Sequence, residues 1–169
     1  MVEKGFKKVG LRRKSRVVTL NVLYLVDNCN LTVDNCINTV FSQYENYPDS
    51  FKKFSAMLVT GTIQNKNIID KIIEKYLHNW TLDRMASVDK NILRLATFEL
   101  LVFLETPVNV IINEAIEIAK EYSTKDSGRF VNGLLDQIKN VRTNTKLLQQ
   151  FKSMKVISDY DYLQDKPNP

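Results

Sequence analysis

Between Arg12 and Asp27 the apolar residues Val17, Leu20, Val22, Leu23, Tyr24 and Val26 fall mostly at steps of three and four, the period that lays side chains along one broad helical face. Asn28, Asn30 and Thr32 interrupt the pattern. The spacing predicts a second helix from Leu31 to about Tyr44, with Val33, Ile37, Val40 and Phe41 inward, before a turn in NYPDS, where Pro48 precludes simple continuation. Asp49 or Ser50 suits a helix cap. Beyond them FKKFSAMLVTGTIQNKNIIDKIIEKYL is long and periodic, with Phe51, Phe54, Leu58, Ile68, Ile72 and Leu77 inward and with Gly61 and Asn65 as the expected points of division.

Thr81 and Ser87 each suit the start of a helix. Residues 87–105 are then apolar nearly all round, from Val88 through Phe98 to Leu104, which predicts a helix in the middle of a bundle. Pro107 ends it, because the residue before a proline is pushed out of the helical region. Val108 to Tyr122 sets Ile111, Ile112, Ala115, Ile116, Ala119 and Tyr122 along an inward stripe and leaves Glu114, Glu117 and Glu121 as an acidic outer face. Ser123 with Asp126 resembles a capping box with a shorter acid, opening a helix that carries Phe130, Leu134, Leu135 and Ile138 inward. Gly133 within that helix suggests a close helix approach. Leu147, Leu148, Phe151, Met154 and Ile157 mark a further helix near the carboxy terminus, either docked or loose. The expected class is all-α, with about seven helices plus a C-terminal extension. Residues 1–11 read as a basic arm, 12–143 as one helical domain and 144–169 as the extension.

Composition sharpens this. Five glycines and four prolines in 169 residues disfavour a turn-rich β architecture. No apolar run reaches the roughly 18 residues that a membrane span needs, so a cytoplasmic protein is expected. Cys29 and Cys36 have neither metal-ligand spacing nor a neighbouring histidine, and read as reduced, structural thiols. No metal and no cofactor is expected.

The net charge of +5 is unevenly placed. Residues 1–16 hold seven cations, Lys4, Lys7, Lys8, Arg12, Arg13, Lys14 and Arg16, against Glu3; the remainder carries 17 basic and 18 acidic residues, a net of −1. Cations at a helix start repel both one another and the positive end of the helix dipole unless an anion meets them. Phosphate would serve, because backbone amides and guanidinium groups converge there. A solvated basic tail is the alternative. Little in the chain suggests catalysis: His78, the single histidine, reads as a packing or capping residue, and the glycines form no phosphate-cradling loop.

Three stretches together, NWTLDRMASVDKNILRLATFEL at 79–100, PVNVIINEAIEIAKEYS at 107–123 and RFVNGLLDQI at 129–138, give the chain a resemblance to the NusB family of bacterial transcription antitermination factors. The resemblance runs from about Arg12 to Val141. It implies an all-helical fold of two packed subbundles and a non-enzymatic adaptor that pairs with NusE, the small ribosomal subunit protein S ten. The pair would hold boxA-like single-stranded RNA against the RNA polymerase elongation complex, with other Nus factors, in ribosomal RNA operons. Members are monomers or dimers, so a homodimer stays open.

By the same resemblance Arg12, Arg13 and Arg16, with Lys14 among them, fall at the family's basic helix start as phosphate contacts. It implies an RNA-side role for Tyr76, Asp126, Arg129 and Phe130, and places Tyr24 and Asp89 near the NusE contact surface. Asp126 reads equally as a helix cap, Phe130 as core, Tyr24 as a half-buried tyrosine and Asp89 as a first-turn acid. Val17 and Asn21 depart from the acid and the glutamine that family members commonly carry there. Two other readings stand beside this one: a protein-binding scaffold using the acidic face without direct RNA recognition, and the RNA-binding part of an RNA methyltransferase, for which the chain is short.

Overall fold

The computed structural model describes residues 10–153 apart from Asn79; Lys4, Lys7, Lys8, Met154 and Ile157 lie outside the described residues. Eight helices follow one another, with no strand among the described residues: α1 Leu11–Asn28, α2 Val33–Phe41, α3 Asp49–Gln64, α4 Lys66–Tyr76, α5 Ser87–Val102, α6 Val108–Tyr122, α7 Ser127–Ile138 and α8 Thr145–Ser153.

Helix α1 belongs to two cores at once. Val18 and Val22, four apart, join Cys36, Val40, Phe51 and Val59 of α2 and α3 in a smaller cluster. Leu20 and Leu23, three apart and turned the other way, enter the larger cluster built on α3 to α7. The result is two packed subbundles, α1–α3 and α4–α7, sharing α1 and α3 against the central α5. Between the two stripes, Ser15, Thr19 and Ser55 are buried, and their short hydroxyls are absorbed locally: Thr19 Oγ1 donates to the Ser15 carbonyl at 2.9 Å and Ser55 Oγ to the Phe51 carbonyl at 2.9 Å.

Helix α5 is buried on all sides from Asn91 to Val102, as its composition predicts. Gly61 does not divide α3. It sits mid-helix where a β-carbon would lie 2.0 Å from Phe98 Cζ, so the missing side chain makes room for the ring. The division falls at Asn65, whose side-chain amide donates to the Gly61 carbonyl at 2.8 Å while its own carbonyl receives the amides of Ile68 and Ile69. Gly133 has nothing within 4 Å of a notional β-carbon and is exposed, which overturns the close approach expected there; the tight glycine of α7 is Gly128, where a β-carbon would lie 2.9 Å from Lys120 Cγ.

The helix ends also differ from expectation. Neither Thr81, Ser87 nor Asp126 makes a side-chain cap, and α7 begins at Ser127, not after Ser123. The hydroxyl of Ser127 instead receives the Thr124 amide at 3.2 Å. Thr32 does cap α2, accepting from the Asn35 amide. The described start of the extension docks: α8 packs on α5, with Leu147 and Leu148 partly buried against the main core. His78 is exposed, just past the end of α4, and does not pack as expected. Cys36 is buried, Cys29 half-buried, and both are free thiols. No helix among the described residues is long and apolar enough to cross a membrane.

Candidate nucleic-acid interface

Helix α1 starts from Gly10, whose carbonyl accepts the Lys14 amide at 3.1 Å; the first turn contains no acid and the start has no side-chain cap. Two of the cations there, Arg13 and Arg16, are met by the chain's own carboxylates. Arg16, expected at a phosphate, is buried, and its Nε and Nη2 donate to Glu99 of α5 at 2.8 and 2.7 Å. Burial opposes its charge, yet the carboxylate of Glu99 outweighs that and raises its pKa above the ordinary arginine value. The fork of Arg16 is filled from within by Glu99, and little of it reaches the surface.

Its neighbours lie further out. Arg13 donates from Nε and Nη2 to the two oxygens of Glu114 on α6, both at 2.8 Å, a side-on pair whose side chains are 30% and 20% exposed. That hydrogen bonding raises the Arg13 pKa and lowers that of Glu114. Arg12 is exposed and rests over the Phe54 ring, 4.0 Å from its centroid, an attraction of about 0.5–1 kcal/mol at a surface. Partial burial, then the nearby charge of Arg16, pull its pKa down. Lys14 reaches Tyr47, its Nζ 3.2 Å from the phenol oxygen, within an aromatic cluster of Tyr44, Tyr47 and Phe51.

Of the remaining candidates, Tyr76 ends α4 and Asp126, Arg129 and Phe130 stand at the start of α7, two helices that pack together, while Tyr24 lies on α1 and Asp89 on α5. Arg129 and Phe130 are exposed, Phe130 at 40%, so the core reading of Phe130 is overturned. Asp126 is exposed and does not cap α7 with its side chain, which removes that alternative. Tyr76 is half-buried against the core at the end of α4, with Lys75 Nζ 5.7 Å from its ring centroid. Tyr24 is exposed rather than half-buried. Asp89 lies in the first turn of α5 but is buried, accepting the Ser127 hydroxyl at 2.9 Å, and so ties the starts of α5 and α7 together.

Several residues that fix this surface carried no signal in the sequence. Glu99 and Arg94 are hidden in an apolar run. Arg94 is buried between Asp70, at 2.7 and 2.9 Å, and Asp27, at 2.6 Å, with Asn91 also on Asp27. Arg142 donates to the carbonyls of Leu100, Phe103, Leu104 and Thr106, at the negative end of α5, and so closes the turn into α6.

Fold and helix entrance define a class: small all-helical proteins of two subbundles whose first helix opens on arginines held by their own carboxylates. The chain belongs to the NusB family, whose model matches residues 13–140. A transcription antitermination protein NusB of Thermodesulfovibrio yellowstonii is 44% identical over 137 residues, covering 75% of this chain and 90% of its own length. One from Elusimicrobium minutum is 42% identical, covering 80% and 98%. Among solved structures, Thermotoga maritima NusB aligns with a TM-score of 0.71 at 36% identity over 79% of this chain and 93% of that one. NusB in a complex of the antitermination factors NusB and NusE with double-stranded RNA aligns at 0.70 and 27% identity, over 78% and 97%.

Proposed function

We propose that this chain is a non-enzymatic RNA-binding adaptor of transcription antitermination, which joins NusE on boxA-like single-stranded RNA beside the elongating polymerase and its other Nus factors. The observation that carries the reading is the surface cluster of Arg12, Arg13 and Lys14 at the opening of α1, in a fold shared with NusB of the NusB–NusE–RNA complex. In this reading the three cations hold phosphates. Tyr76 and Phe130 offer ring planes to unstacked bases, and Asp126 and Arg129 meet base edges. Tyr24 faces NusE, and Asp89 acts from inside by fixing Ser127 and with it the helix start that carries Arg129 and Phe130. The buried Arg16, Glu99 and Arg94, with the half-buried Asp27 and Asp70, serve cohesion: they are engaged in pairs that join helices.

Titration of a boxA-like RNA with the protein, alone and mixed with NusE, at two salt concentrations, tests this. Neutralised phosphates release counterions, so affinity should fall steeply as salt rises, and NusE should strengthen binding. No binding at low salt in the presence of NusE would overturn the reading. The alternative scaffold, working through Glu114, Glu117 and Glu121 alone, is disfavoured because Glu114 and Glu117 already hold Arg13 and Lys120. It requires NusE association that does not respond to RNA.

A further inference from the structure

Three arginines within five positions are held with graded strength. Arg16 cannot leave Glu99, because withdrawal would strand a carboxylate that is 2% exposed. Arg12 has no ion pair among the described residues and lies on an aromatic ring. Arg13 falls between them: its fork is fully engaged by Glu114 in the side-on geometry that a phosphate would use, yet the pair lies at the surface. Glu114 has a second cation in reserve, since its Oε2 is 3.8 Å from Arg16 Nη1. Arg13 can therefore swing away without leaving that carboxylate alone.

We infer that Glu114 is an internal competitor for phosphate, a latch on Arg13 that an RNA strand must displace and that sets how tightly the helix entrance binds. An isolated anion must replace the Glu114 contact with its own, a near-even exchange. A strand that also reaches Arg12, which rests on a ring and has no ion pair among the described residues, gains a contact with no carboxylate to displace, so the latch favours polyanions that span the entrance over single phosphates. This inference rests on the RNA-binding reading above and adds a residue that sets its affinity and selectivity.

The test compares Glu114→Gln with Glu117→Gln, whose carboxylate holds Lys120 rather than Arg13. With NusE present, E114Q should bind the boxA-like RNA three- to tenfold more tightly than wild type, and E117Q should change affinity by less than twofold. The gain should vanish when E114Q is combined with Arg13→Ala. Equal gains in both glutamine variants would reduce the effect to general charge and overturn the latch. Weaker binding by E114Q would show that Glu114 positions Arg13 for RNA, which also overturns it. Should E114Q fail to fold, the wild type still decides: the Arg13 Nε–H resonance should shift on RNA addition, and an unmoved resonance contradicts displacement. Failure of the wild type to bind RNA at all would instead remove the underlying reading.

Discussion

At Arg16 the guanidinium gives up nearly all its water to Glu99, so removing either partner leaves a buried charge without its counterpart. Arg16→Ala should therefore cost about 3–5 kcal/mol of stability, read by urea unfolding. Arg12→Ala, which loses a ring contact at the surface, should cost no more than about 1 kcal/mol. Equal losses would mean that the core assignment of Arg16 is mistaken. Gly61 offers a second contrast. A methyl group added there meets the Phe98 ring, so Gly61→Ala should destabilise by about 1–3 kcal/mol although alanine favours helices, whereas Gly133→Ala, in open space, should be neutral or stabilising. From the sequence Gly61 reads as a break and Gly133 as a close approach, the reverse of the contacts found, because helical periodicity says which stripe is inward but not which ring from another helix arrives at a given turn.

Among elements, α5 organises the molecule, and its charged residues hold the others to it. Asp27 of α1, with Arg94 of α5 and Asp70 of α4, links three helices. Burial alone would raise the Asp27 pKa, but Arg94 and Lys66 hold it below the ordinary 3.8. The sign follows from linkage: a carboxylate depressed in the folded state stabilises it fully above its unfolded pKa, and that contribution is lost as pH falls through the folded value. Stability should therefore decline from about pH 4 downward, with Glu114 contributing in the same direction. Asp27→Asn should be less stable than wild type at pH 7 and lose less on going to pH 3, as measured by urea unfolding at both; an unchanged acid slope would contradict this. The apolar stripes of α1, α5 and α6 were legible because burial follows a period. The ion pairs were not, since Arg16 and Glu99 lie 83 positions apart and meet only once α1 and α5 pack. Phe130 misled for a related reason: it neighbours the truly inward Val131, Leu134 and Leu135 but points outward at its own turn.

For the molecule as a whole, the excess positive charge of the amino-terminal region read in the sequence does not appear at the surface intact. Two of the three arginines at the entrance of α1 are met by Glu99 and Glu114, so the repulsion at the helix start is relieved first from within. Among the described residues of the entrance, Arg12, Lys14 and an Arg13 shared with Glu114 stand beside the aromatic cluster of Tyr44 and Tyr47. Internal carboxylates fix where Arg13 and Arg16 stand, and in the proposed function phosphate engages the cations that face out. RNA binding should thus be sensitive to Arg12 and Lys14 out of proportion to their effect on the fold. The most direct measurement is the affinity of the Arg12→Ala, Lys14→Ala double variant for boxA-like RNA in the presence of NusE, at low and high salt, with its unfolding curve recorded alongside. The account predicts a folded protein whose affinity drops at least tenfold at low salt and whose salt dependence is shallower than wild type; a folded variant with wild-type affinity and slope would contradict it.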